Sequence, residues 1–192
     1  TYGVILTPTF VPGLQLSADY YKIKIKGAIQ APGASTILDN CAAGLTSFCP
    51  LFDYFPPVAP ATVGSLVIRN KSVNYAVNLV AGFDFEANYR TELFGNPLGF
   101  HLLANHITQD YSQAPLAAAE SSVGTANSPN WRLNGSVQYA VAGWGFQYTQ
   151  RYISPSKMSA TLTEENLGTD NNSIKAYFIS DLNITYDLSN TF

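Results

Sequence analysis

Strand-like segments of this chain are joined by connections that are short, long, short, long, short and long, in strict order. The stretches 9–13 (TFVPG), 94–99 (FGNPLG) and 141–143 (VAG) read as tight turns, and 29–77, 112–129 and 155–172 as long loops. In an up-and-down meander every second connection lies at the same end of the sheet. The alternation therefore gathers the tight turns at one end and the long loops at the other, the asymmetry of a bacterial outer-membrane β-barrel with short periplasmic turns and long extracellular loops.

Composition agrees with a chain that crosses lipid on strands. Only 12% of its residues are charged, against about 25% in ordinary soluble domains, and aromatics reach 13%, with 12 Tyr and 11 Phe. No apolar run approaches the roughly 18 residues of a membrane-spanning helix. A net charge of −3 argues against a nucleic-acid partner. The chain opens at Thr1 within strand-like sequence and shows no export signal, so it reads as a piece of a longer protein.

Seven strands are expected, at roughly 1–8, 14–28, 78–92, 99–111, 130–141, 144–154 and 174–188. The clearest alternates Leu79, Ala81, Phe83, Phe85, Ala87 and Tyr89 with Asn78, Gly82, Asp84, Glu86, Asn88 and Arg90, a period of two that no helix produces. Trp131, Leu133, Val137 and Tyr139 oppose Arg132, Asn134, Ser136 and Gln138 in the same manner, and Trp144, Phe146, Tyr148 and Tyr152 oppose Gln147, Thr149 and Arg151. The last strand sets Phe178, Leu182, Ile184 and Tyr186 against Asp181, Asn183 and Asp187, with Ser180 as a polar intrusion. Along 14–28 the apolar parity of Leu14, Leu16, Ala18 and Tyr20 passes to Lys22, Lys24 and Lys26. Either a bulge flips the faces there or the strand has left the hydrocarbon. The segment 99–111 alternates only loosely.

These lengths suit transmembrane strands of about 9–11 residues, and Tyr89, Trp131, Tyr139, Trp144, Tyr152 and Tyr186 lie towards strand ends, where aromatic girdles meet head groups. The same periodicity serves a soluble β-sandwich that packs these aromatics in a core. Connection rhythm, low charge and strand length favour the membrane. An odd, unclosed set of strands leaves backbone groups unpaired in lipid, at several kcal/mol each, so the segment is incomplete as a barrel.

Several stretches, taken together, resemble the C-terminal third of the barrel of TonB-dependent outer-membrane receptors. They are GVILTPTFVPGLQLSADYYKIKIKGAI at 3–29, DNCAAGLTSFCPLF at 39–52, AGFDFEANYR at 81–90, PNWRLNGSVQY at 129–139, RYI at 151–153 and YFISDLNITYDL at 177–188. They follow in the family's order and cover essentially the whole chain. The resemblance implies a 22-stranded barrel of which these would be roughly strands fourteen to twenty, lacking the plug, the energy-coupling box and the final hairpin. Phe192 invites the reading of a closing aromatic residue, but Asn190 interrupts the alternation behind it, so the end is expected to be truncated. The resemblance further implies active import of a scarce nutrient such as a ferric siderophore, in outer-membrane lipid. TonB and its inner-membrane complex would act through the missing plug. Passive porins and barrels that anchor a secreted passenger share the alternation and remain rivals, as does a soluble, secreted β-sandwich that binds carbohydrate through exposed aromatics.

Candidate lumen charges are Asp19, Asp84, Glu86, Arg90, Arg132, Arg151 and Asp181. They either guide a ligand or hold the plug, or else pair across neighbouring strands, where such pairs are worth under about 1 kcal/mol. In the first long loop, STILDNCAAGL suits a short helix with Ser35 or Thr36 as N-cap and Gly44 as its stop. Cys41 and Cys49 have the spacing of one small disulfide in an oxidising compartment, with two free thiols as the alternative. Phe52, Tyr54 and Phe55 then form either a ligand-contacting lip or packing over the barrel rim, and 65–77 is expected to fold as a hairpin around Arg69, Asn70 and Lys71. Enzymatic chemistry is not indicated: there is no nucleophile elbow, HExxH or glycine-rich phosphate loop. His101 and His106, five apart on a strand, face opposite sides and cannot share a metal, so neither metal nor cofactor is expected.

Overall fold

The computed structural model describes residues 1–60, 62–116, 119–168 and 171–188; Asn190 and Phe192, with the expectation placed on them, lie outside these. In chain order the elements are β1 (Tyr2–Leu6), β2 (Leu14–Gln30), α1 (Ala34–Ala42), a 3-10 helix (Thr46–Leu51), β3 (Phe52–Phe55), β4 (Ser65–Ile68), β5 (Val73–Leu93) and β6 (Asn96–Gln113). They continue with β7 (Glu120–Ser121), β8 (Trp131–Val141), β9 (Trp144–Ile153), β10 (Ser156–Lys157), α2 (Glu164–Leu167), β11 (Ser173–Ile174) and β12 (Tyr177–Tyr186). The contacts divide into two compact units. One holds Thr1–Ile23, Leu79–Tyr111 and the described residues from Ser121 onward, and the other Lys24–Asn78 and Ser112–Glu120.

An up-and-down sheet with strand order β1-β2-β5-β6-β8-β9-β12 dominates the first unit. Its strands are antiparallel, and its edge strands β1 and β12 do not pair with each other among the described residues. Its tight connections reverse the chain through residues of positive φ. Phe94 (53°) and Gly95 (75°) join β5 to β6, and Ala142 (50°) and Gly143 (81°) join β8 to β9. Two central residues of positive φ make the turn whose twist matches the flanking strands. The expected turn at 94–99 is therefore shorter than read. Asn96–Gly99 belongs to β6, which accepts Pro97 because a missing N–H is tolerated at a strand's start.

Alternation sorts the side chains into two faces, as the register shows. Phe100, Leu102, Ala104 and His106 stand opposite Val137, Gly135, Leu133 and Trp131, and Leu133, Val137 and Tyr139 opposite Tyr152, Tyr148 and Phe146. Those three in turn meet Phe178, Leu182 and Ile184. Rings touch along this face: Tyr20–Phe83 at 5.2 Å, Phe85–Trp131 at 6.2 Å, Tyr152–Phe178 at 4.9 Å and Trp144–Tyr186 at 4.6 Å between centroids. Yet the face has no covering layer among the described residues. Phe83 is 36% exposed, Phe85 37% and Leu182 67%, whereas a sandwich core buries such residues. A polar break interrupts the face where Gln150 stands opposite Ser180. Gln150 Oε1 accepts from the Tyr148 hydroxyl (2.5 Å) and the Ser180 hydroxyl (2.8 Å), and its Nε2 donates to the Ile179 carbonyl (3.0 Å). Internal satisfaction of this kind is what hydrocarbon demands of polar groups.

The long connections of this unit are braced. Lys157 N donates to the Gly124 carbonyl (2.8 Å) and Ala126 N to the Lys157 carbonyl (3.0 Å), knitting the β6–β8 loop to the β9–β12 loop. Ser156 pairs with Ile174 in the β10–β11 hairpin.

The second unit contains much of what reads as loop 29–77. Its helix α1 begins at Gly33 without a side-chain cap, so neither Ser35 nor Thr36 caps it. Gly44, at φ 93°, closes its far end. Cys41 and Cys49 form a disulfide with Cα atoms 5.0 Å apart. The hairpin expected at 65–77 does not form. Ser65–Ile68 pairs instead with Phe52–Phe55, and Val73 already starts β5; a non-local partner outweighs the local turn around Asn70.

Candidate functional site

Opposite the aromatic face, the sheet of the first unit carries most of the charges on its strands. Strand parity sends Asp84, Glu86 and Arg90 to this polar face, and the register adds His101 opposite Ser136, Asn105 opposite Arg132, and Asn134 opposite Arg151. Asp84 is held by Asn105, whose Nδ2 donates to Asp84 Oδ1 at 2.7 Å and to the Tyr21 hydroxyl at 3.1 Å. Glu86 Oε1 accepts from Asn88 Nδ2 at 2.7 Å and lies 3.1 Å from His101 Nε2. Arg151 Nη2 donates to Asp181 Oδ2 at 2.7 Å, one strand away. Asp19 lies over Gly3 of the neighbouring strand, where no side chain competes with it. Most of these charges thus have neighbours within the wall.

Two arginines differ. Arg132 donates to the Asn127 carbonyl at 3.0 Å and has no acidic partner among the described residues. It shares a depression of about 490 Å³ with Arg151, Asp84, Leu103, Ile153 and Ile179. Leu103, Ile153 and Ile179 are apolar intrusions on the polar face, so two guanidiniums stand beside a greasy floor. The Asp84 carboxylate lines the same depression and Asp181 pairs with Arg151, so the charge there is mixed. Arg90 lies elsewhere, in a second depression of about 440 Å³ with Gln138, Gln147 and Asn183. Its side chain makes no ion pair or hydrogen bond among the described residues.

In the second unit Tyr54 and Phe55 are exposed, 62% and 51%, and point to opposite faces of the β3–β4 ribbon, since neighbours on a strand alternate. Phe52, half-buried, stands opposite Ile68. Arg69 is committed. One arm of its guanidinium donates to Asp53, and the other to Asp53 Oδ1 at 3.3 Å and to the Pro50 carbonyl at 2.6 Å. This hydrogen-bonded pairing holds the Asp53 carboxyl below the usual carboxylate range and raises Arg69. Of the residues picked from the sequence, the fold brings Arg132, Arg151 and Asp84 together and gives Glu86 and Arg69 local partners. The apolar floor under the arginines escaped the sequence reading, although the odd parity of Leu103 and Ile153 marks it.

His106 stacks on Trp131 at 4.2 Å on the aromatic face, while His101 meets Glu86 on the other. Over residues 2–192 the sequence matches the family described as TonB dependent receptor-like, beta-barrel. No curated protein matches the chain.

Proposed function

Since the chain belongs to the TonB-dependent receptor β-barrel family, we propose that it forms part of the wall of an outer-membrane importer that takes up a scarce nutrient with energy delivered through TonB. The uncovered aromatic face supports placement in lipid, and the polar face supports a hydrated lumen. Energy coupling would reach the wall through a plug domain. Nothing in this reading calls for catalysis or a cofactor: the wall binds, orients and releases.

The observation that carries the ligand class is the Arg132–Arg151 depression with Leu103, Ile153 and Ile179 beside it, where Arg132 is the guanidinium without an acidic partner among the described residues. A ferric siderophore, often anionic around its metal and apolar at its edges, has that chemistry. The long connections, including the β3–β4 ribbon with Tyr54 and Phe55, would face the exterior and make first contact.

Uptake of a radiolabelled ferric catecholate by iron-starved cells producing the full-length protein tests this. Uptake should fall to background when TonB is deleted, and at least tenfold in an Arg132→Gln/Arg151→Gln double variant that still assembles. Uptake that persists without TonB would identify a passive pore instead.

A further inference from the structure

The polar face changes character towards the tight-turn end of β8, β9 and β12. Asp84, Glu86 and Arg151 bond to neighbours within the wall, but the amides nearer the turns do not. Gln138 stands opposite Gln147, and Gln147 opposite Asn183, so three carboxamides lie side by side on adjacent strands, spaced about 4.8 Å from strand to strand. All three are exposed, and none has a side-chain hydrogen bond among the described residues. Gly99 faces Gln138 from β6. A Cβ there would meet only Gln138 Cβ, at 4.0 Å, so open space and not a further side chain continues the row. Arg90, on the neighbouring β5, completes the lining of this depression of about 440 Å³.

Each carboxamide offers two N–H donors and a carbonyl acceptor. A hydroxyl both donates and accepts, so it uses both ends of an amide, whereas a carboxylate only accepts. The full charge in the depression is the Arg90 guanidinium, and no carboxylate lines it among the described residues. One such guanidinium suits a single anionic group. Pro97 adds an apolar edge against which C–H groups can rest. An extended peptide would pair through its backbone with a free strand edge, but β8 and β9 are paired on both sides. Hydroxyls, C–H groups between them and one carboxylate are the groups of a sugar acid.

We infer that Arg90, Gln138, Gln147 and Asn183 form a subsite for a sugar acid, with the carboxylate on Arg90 and the hydroxyls along the amides. The inference rests on the proposed placement of this face inside a hydrated barrel. It adds a station distinct from the Arg132–Arg151 depression, with which it shares no lining residue. Gln138 lies six positions beyond Arg132 on β8, about 20 Å along the strand.

The test measures binding of lactobionate, a disaccharide acid with one carboxylate, to the full-length protein in detergent by titration calorimetry. Arg90→Gln should weaken binding at least tenfold, and so should Gln138→Ala/Gln147→Ala/Asn183→Ala. Gln147→Glu, which keeps the size of the side chain and sets a negative charge beside the ligand's own, should weaken it as well. Arg132→Gln/Arg151→Gln should leave it unchanged. The inference is overturned if the unaltered protein does not bind lactobionate, if the Arg90 or the amide variants bind it as before, or if the Arg132/Arg151 variant loses it. Displacement at equal concentration by acetate would reveal a bare anion site, and by a short acidic peptide a polypeptide site; either result overturns it too. Heat-modifiable electrophoretic mobility of each protein reports the barrel separately, and its absence from the unaltered protein would defeat the membrane reading itself.

Discussion

The two units of this chain differ in where their apolar residues are covered, although Tyr54, Phe55 and Val58 stay exposed in the second and Leu79 and Ala81 are buried in the first. In the second unit Ile37 is fully buried and Phe48 nearly so, with a disulfide and the Asp53–Arg69 pair tying the same stretch together. In the sheet, Phe83, Phe85, Phe178 and Leu182 stay exposed although the strands beneath them are regular. One region builds its own small core, as a chain in water must. The other leaves its hydrophobic surface uncovered, as the outer wall of a membrane barrel does. Exposure of an apolar row beside a buried apolar cluster in one chain thus maps which parts were built for which medium.

The largest expected effect tests the sheet's side of that contrast. Replacing Phe83 by Arg puts a cation on the lipid row at a cost of about 2–4 kcal/mol near the midplane, whereas Glu86→Arg changes a residue on the polar face. Heat-modifiable mobility of the full-length protein should be lost in the first and kept in the second. Equal behaviour would erase the distinction between the faces.

Next comes the disulfide, which belongs to the other region. Cys41 and Cys49 are eight residues apart, and closing so short a loop constrains the unfolded chain by roughly 2.5 kcal/mol. A Cys41→Ser/Cys49→Ser variant should lose hydrogen-exchange protection across 34–51 while the amides of β8 and β9 stay protected. Loss of protection in those strands as well would show that the two regions are energetically one.

How much of this was legible before the fold was seen follows from the same contrast. A lipid-spanning strand writes its facing into every second residue, so the rows from Leu79 to Tyr89 and from Trp131 to Tyr139 could be read directly. Where alternation weakens, so did the reading: β6 mixes Leu103 with His101 and Asn105 on one face, and only pairing with β8 settles which side each takes. Ser180 reads as a mere polar intrusion until its partner across the strand, Gln150, is known. The second unit has no such code. Its hairpin joins Phe52–Phe55 to Ser65–Ile68, a pairing that the local run from Ser65 to Val77 conceals, and its helix starts on Gly33 rather than on the hydroxyls that favour a cap. The arginine pair was within reach because parity put Arg132 and Arg151 on one face; the floor under it depends on register between strands.

A smaller effect compares the regions on equal terms. Gly95 in the β5–β6 turn and Gly44 after α1 both adopt positive φ, 75° and 93°, and a Cβ at either would meet nothing within 4 Å. Space is free at both, so an alanine there is opposed only by the left-handed backbone, at about 1 kcal/mol. Gly95→Ala should slow barrel assembly slightly and leave exchange in 34–51 unchanged, and Gly44→Ala should do the reverse. Thermal scans of heat-modifiable mobility, with hydrogen exchange alongside, would separate the two.

The smallest effect concerns the exposed pair in the second unit. Hydrogen bonding to Arg69 lowers the Asp53 pKa in the folded protein, so the pair's contribution is fully present above the unfolded value of about 3.9. It fades as pH falls below that value, through the lowered folded one. Protection of residues 52–68 against hydrogen exchange, corrected for the intrinsic rate, should therefore decline below about pH 4. Because both partners are solvent-accessible, added salt should weaken the effect. Asp53→Asn should remove the pH dependence while leaving the disulfide and the Ile37 cluster intact. A decline that survived in Asp53→Asn would assign the acid sensitivity to another carboxylate, and the ribbon would then be held by its backbone ladder and the Arg69 contact with the Pro50 carbonyl.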